Sequence, residues 1–274
     1  MTEPVTEAAW LSQPTAPIEP LERTRSLRGS VAVADLDWTE LDGEPTEGYL
    51  VLPAGQGPFP GVLYFHWLEP ESPTANRSEF VDEAIGMADD GVVSLHVQGR
   101  FPWRVRPSGA EPDRERVMAQ VRELRRALDL LAARSDVDPS RIALVGHDFG
   151  AMYGAVLAAR DPRIKGLAML SAVPAFADWF VPYWRGVLGD LTEEQYRARL
   201  ADLDPVAALR RVTPRPILLQ FANDDEYVSA DAAAALTAAA GPTVRRLDYD
   251  AGHALDVEAA RIDRVAWLRG LLGV

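Results

Sequence analysis

The chain contains no cysteine, which excludes disulfides, thiolate metal sites and a cysteine nucleophile. Lys165 is its only lysine. A Schiff-base mechanism therefore has one candidate, placed just ahead of an expected strand. No stretch approaches the roughly 18 apolar residues that a membrane span needs. Met1-Thr2-Glu3-Pro4 lacks the basic start and apolar core of a secretion signal, so a cytoplasmic protein is expected. Basic residues are scarce, with 28 Lys and Arg against 41 Asp and Glu and a formal charge of −13. That balance argues against a nucleic-acid partner, because phosphate binding needs clustered cations. There is also no internal repeat, no low-complexity tract and no glycine-rich phosphate loop. No cofactor and no metal are expected. The expected partner is a small-molecule substrate, with neither nucleic acid nor membrane, and a homodimer is left open.

What is present suits one large α/β domain: 274 residues, 47% of them hydrophobic. Residues 1–25, rich in Pro, Glu and Thr, read as a loose arm, and residues 26–274 as a single domain. Ser30 to Trp38 and Thr46 to Leu52 read as an antiparallel pair around Asp42-Gly43. Gly61 to Phe65 is a continuous apolar run, as in a strand buried on both faces. Strand and helix signals then alternate. Strands are expected over Gly91–Val97, Arg141–Val145, Ile164–Leu170, Pro216–Phe221 and Val244–Tyr249. Helices are expected with Val117, Val121, Leu124, Leu128 and Leu131 on one face, then over Ala230–Ala240 and Val257–Leu272. Such alternation implies parallel βαβ units with right-handed crossovers. Residues 172–213 break the rhythm, are too long for a simple connection, and read as a small helical lid.

Gly146-His147-Asp148-Phe149-Gly150 carries the most chemistry. An apolar strand precedes it, and the small Ala151, Gly154 and Ala155 follow, so a helix packs tightly beneath the turn. Glycines at both ends allow the strained angles and close approach of a sharp elbow. Asp148 is expected at the exposed top of the sheet. Two further signals follow in order. Asn223-Asp224-Asp225-Glu226-Tyr227-Val228 comes after one late strand, and Asp250-Ala251-Gly252-His253 after the next. Nucleophile, acid and histidine in this order are the arrangement of α/β-hydrolases.

From about Gly29 onward the chain resembles an α/β-hydrolase of the dienelactone-hydrolase-like branch. That resemblance implies a mostly parallel central sheet flanked by helices. The elbow itself, Gly-His-Asp-aromatic-Gly, is similar instead to epoxide hydrolases and haloalkane dehalogenases, whose aspartate attacks an sp³ carbon. Carried over, Asp148 is the nucleophile, His253 the base and Asp225 the orienting acid, since Val228 completes an Asp-x-x-Val pattern. Asp224 and Asp178 stay open as the acid. Phe149 N–H is one donor for developing charge, and Trp67 stands where the resemblance expects glycine, offering an indole N–H to a leaving group. Candidate pocket residues are His66, Trp103, Trp179, Tyr183 and Trp184, with Tyr183 and Tyr196 available to protonate an opening epoxide.

An aspartate near its reference pKa of about 3.9 is almost fully ionised at pH 7 and needs no activating base. His253 then serves the second step, deprotonating the water that hydrolyses the alkyl-enzyme ester. The leading expectation is therefore an Asp148–His253–Asp225 hydrolase acting on an epoxide or a carbon–halogen bond. Ester or lactone hydrolysis with Asp148 as base is the alternative within enzymes. A catalytically inactive ligand-binding homologue is the third reading.

Overall fold

The computed structural model describes residues 16–274. Strands β1 (Leu21–Arg28), β2 (Val31–Thr39) and β3 (Pro45–Leu52) form an antiparallel meander. β4 (Phe59–Phe65), helix α1 (Val81–Asp89), β5 (Val93–Val97) and α2 (Ala110–Ala132) come next. Then follow β6 (Val137–His147), α3 (Phe149–Ala158) and β7 (Ile164–Leu170). Helices α4 (Phe176–Tyr183), α5 (Glu193–Leu200) and α6 (Pro205–Val212) precede β8 (Ile217–Ala222), α7 (Ala230–Ala240), β9 (Arg245–Tyr249) and α8 (Glu258–Leu272).

The strands join one sheet in the order β1-β2-β3-β5-β4-β6-β7-β8-β9. β3 meets β5 antiparallel, and from β5 through β9 all neighbours are parallel. Successive residues of the central strands alternate between two cores, as the two-residue period of a strand requires. On β6, Ile142 and Leu144 face the core shared with α2, α3, α6 and α7, whereas Ala143 and Val145 face that shared with α1 and α8. Both faces are covered, which is why these strands read as unbroken apolar runs.

Two expectations change here. Residues 21–25, placed in the loose arm, belong to β1, while residues 1–15 lie outside the described residues. Leu-Glu-Arg-Thr-Arg-Ser-Leu-Arg is exposed throughout and is held by backbone pairing to β2 rather than by a buried face, so it carries no apolar period. Helix α1 was not among the expected helices, although it buries Ala84, Met87 and Ala88 on one face. It is short, lacks a side-chain cap and buries Glu83, whose carboxylate accepts from Arg264 Nε at 3.0 and 3.1 Å. Within 172–213, α4 covers the sheet edge, whereas α6 joins the core beside α3 and α7.

The parallel strands all end on one edge, where open α/β sheets form their sites. The loops after β4, β6, β8 and β9 meet there.

Candidate active site

β6 ends at His147 and α3 begins at Phe149, so Asp148 alone makes the turn, with φ 51° and ψ −119°. For a non-glycine residue such a backbone costs of the order of 1–3 kcal/mol and persists only where its surroundings enforce it. Here the Asp148 N–H donates to Leu170 O at 2.8 Å, and Asp148 O accepts from Met152 N–H at 3.0 Å. A Cβ on Gly146 would lie 2.5 Å from the Gly150 backbone, and one on Gly150 would lie 2.1 Å from Phe65 O. Both glycines are thus close-approach positions.

Asp148 is buried, not exposed, because the loop after β4 and the aromatic side chains of α4 close over the sheet edge; only 1% of its surface reaches solvent. Its Oδ2 accepts from Leu68 N–H at 3.2 Å, and the backbone N–H of Phe149, at the start of α3, also favours the charged carboxylate. Burial pushes the Asp148 carboxyl up to about 7. His253 and the two backbone donors pull it down without prevailing, and the Glu79 carboxylate adds to the rise. The near-complete ionisation expected from an ordinary aspartate is therefore corrected: water that would solvate the charge has been removed.

His253, in the loop after β9, donates from Nδ1 to both oxygens of Asp225, at 2.9 and 3.0 Å. Asp225 Oδ1 also accepts from the Tyr227 and Val228 N–H groups, each at 2.9 Å, which is the physical content of the Asp-x-x-Val spacing. Burial alone would raise Asp225, but His253 and these N–H donors outweigh it and hold the carboxyl below its usual value. An ionised Asp225 keeps the proton on His253 Nδ1 and leaves Nε2 as the unprotonated nitrogen. Asp224 is exposed. Asp178 caps α4 through Ala175 N–H at 3.0 Å and pairs with Arg197. Neither takes the acid's place.

His253 Nε2 and Asp148 Oδ1 are both buried without a hydrogen-bond partner. Both residues border a cavity of about 200 Å³ whose wall also includes Leu68, Phe149, Trp179, Tyr183, Trp184 and Tyr227. Trp179 Nε1 is a third buried polar atom without a partner on this wall. Tyr227 was missed by the sequence reading. It sits two residues past Asp225, with its ring edge-on to His253 at 5.0 Å.

Four expected residues do not border this cavity. His66 accepts from Gly99 N–H at Nε2 and donates from Nδ1 to Trp67 O, both at 2.8 Å. Burial drives its pKa down to about 3, so it is a neutral brace and not a pocket residue. Trp103 donates from Nε1 to the same Trp67 O at 2.9 Å and packs on Phe65 and His66. Trp67 makes no hydrogen bond to Asp148, and its indole Nε1, offered in sequence to a leaving group, is buried without a partner but off this cavity wall. Its backbone N–H goes to Glu79 Oε2 at 2.9 Å, and its ring stacks on His147 at 5.0 Å and 4°. The loop's donor is Leu68, one residue on. Since C=O and N–H of a peptide point oppositely, the two donors on Trp67 O aim the Leu68 N–H at Asp148. Tyr196 is also unavailable, being buried with its hydroxyl on Asp113 at 2.7 Å.

Among the described residues, no group of three or more His, Asp or Glu is placed to hold a metal ion, and no helix is long and apolar enough to cross a membrane. The sheet order, the elbow and the acid–histidine loops define an α/β-hydrolase fold. It is shared with an acetyl xylan esterase from Paenibacillus sp. R4, at TM-score 0.76 and 19% identity over 97% of this chain and 92% of that one. Acetyl xylan esterase 1 from Thermoanaerobacterium sp. JW/SL YS485 superposes at TM-score 0.78 and 14% identity over the same shares. In sequence, 128 residues are 29% identical to esterase EstD of Thermotoga maritima, spanning 45% of this chain and 29% of that protein. No protein-family model matches.

Proposed function

We propose that this chain is a hydrolase of small carboxylic esters or lactones, with Asp148 and His253 delivering the attacking water. The observation that carries this reading is the pair of buried, partnerless atoms on one cavity wall, Asp148 Oδ1 and His253 Nε2. A water between them has an acceptor on each side. Asp148, raised to about 7 by burial, has the basicity that suits a general base at neutral pH. As water oxygen bonds to the substrate carbonyl carbon, its proton passes to Asp148 Oδ1. Collapse of the tetrahedral intermediate breaks the ester C–O bond, and the departing alkoxide takes that proton. Trp179 Nε1–H is the free donor available to the substrate oxygen. The ester class is supported by the esterases that share the fold or a stretch of sequence.

One observation favours the covalent route on an sp³ carbon. Asp148 Oδ2 already occupies the Leu68 N–H group. An alkyl ester formed on Oδ1 would thus present its own carbonyl oxygen to this donor when His253-activated water attacks. Single turnover in ¹⁸O-water separates the two routes. Ester hydrolysis by the general-base route places label in the product acid and none in the Asp148 peptide. Label in that peptide after turnover of an epoxide or haloalkane would overturn the general-base reading.

The same reading predicts kcat/KM for a p-nitrophenyl ester rising with pH through about 7, because the deprotonated carboxylate is the active form. An acid limb centred in the ordinary carboxylate range would contradict it.

A further inference from the structure

We propose that Glu79 is a positioning residue that holds the loop after β4, the elbow and the catalytic-histidine loop in one arrangement; only its kinetic test rests on the hydrolase reading. Glu79 lies in the loop between β4 and α1, outside every motif, and its side chain is mostly buried. Oε2 accepts from Trp67 N–H at 2.9 Å. Oε1 lies 2.6 Å from His147 Nδ1, and His147 Nε2 lies 3.0 Å from the backbone oxygen of His253.

Proton accounting fixes the direction of this chain. A carbonyl oxygen only accepts, so His147 Nε2 carries a hydrogen and donates to His253 O. The short Nδ1–Oε1 contact then shares one further proton between ring and carboxylate. One carboxylate thereby fixes three loops. It anchors the N–H of Trp67, whose following peptide aims Leu68 N–H at Asp148. It fixes the residue before Asp148 in the chain. Through the imidazole it fixes the backbone of His253. Trp67 lies flat on His147 and blocks any other position of that ring. Neither Glu79 nor His147 borders the 200 Å³ cavity, so they act on the reacting groups without touching substrate.

Glu79→Gln reproduces the geometry, because the amide oxygen takes Trp67 N–H and the amide N–H meets Nδ1 of a neutral His147. Glu79→Ala removes both contacts. Displacing catalytic groups by about 1 Å can cost on the order of 100-fold in rate. The expected result is therefore kcat lowered ~100-fold in Glu79→Ala with KM unchanged within about twofold, and kcat restored to within ~5-fold in Glu79→Gln. Should Glu79→Ala fail to fold, His147→Phe keeps the stack on Trp67 and breaks the same chain, with the same split of kcat from KM. Wild-type kcat in these variants, a loss confined to KM, or a Glu79→Gln variant as slow as Glu79→Ala would each overturn the proposal.

A second measurement is independent of substrate. The protein has four histidines, so ¹⁵N-histidine spectra resolve each ring. Wild type should show a strongly deshielded His147 Nδ1 proton. Glu79→Ala should lose it and shift the His253 ring signals. His253 signals that do not move would overturn the proposal even if no substrate is turned over.

Discussion

Asp148→Asn is expected to be inactive and, above pH 7, more stable than the wild type. In the native state burial raises this carboxyl from 3.8 to about 7, so between those values the folded protein binds more protons than the unfolded chain. Stability must then fall as pH rises through this window. The variant has no such dependence at this position. Its side-chain oxygen still accepts from Leu68 N–H, and it carries no charge to bury. Below about pH 4 the two proteins should be equally stable. Above pH 7 the difference should approach ~4 kcal/mol, the free energy equivalent of a rise of this size. Denaturant unfolding at a series of pH values measures it directly, and parallel stability curves for the two proteins would refute the assignment. The result would also express a trade between stability and function at this site: under the proposed mechanism the buried charge that serves as base is a burden on the fold.

Gly150→Ala should abolish the folded state or cost more than ~4 kcal/mol, an unusually large effect for one methyl group. The added Cβ would lie 2.1 Å from Phe65 O and 2.6 Å from His66 O. These are backbone atoms at the end of the central strand β4, so no flexible side chain can give way. Moving α3 outward instead would carry Phe149 N–H and Asp148 with it. Gly86→Ala serves as a control of opposite sign. Gly86 sits on the exposed side of α1, and a Cβ there meets nothing within 4 Å. Replacing a mid-helix glycine by alanine should stabilise by roughly 0.5–1 kcal/mol. Thermal or denaturant unfolding reads both; near-equal stability of Gly150→Ala and wild type would mean that the elbow is not packed this way.

The parts legible in sequence were those with a local physical signal. Ile164–Leu170 and Ala230–Ala240 fall on the observed elements residue for residue, because a doubly buried strand and an alanine-rich helix declare themselves by composition and period. The elbow was legible because its glycines stand where no Cβ fits. Asp225 was distinguishable from Asp224 because its carboxylate caps Val228, three residues on. β1 had no such signal, being exposed throughout and held by backbone pairing and the Arg23–Asp37 ion pair; α1 is short, and its buried face of Ala84, Met87 and Ala88 also carries Glu83, paired with the distant Arg264. Glu79 was invisible for a related reason. Its partners are 12 and 68 residues away along the chain, and no spacing rule links them.

By itself, then, the amino-acid order determined the alternation of strands and helices, the sharp turn at Asp148, and the acid and histidine that follow on later strands. Each depends on residues within a few positions of one another. Only the tertiary structure decided how Asp148 behaves. Whether a carboxylate is an ordinary anion or a group poised near neutrality depends on the water around it. That water is displaced by the Leu68 loop and by Trp179, Tyr227 and their neighbours, brought in from distant parts of the chain. The same long-range closure put Leu68, not Trp67, within hydrogen-bond reach of Asp148 and turned His147 from a packing residue into a link between loops.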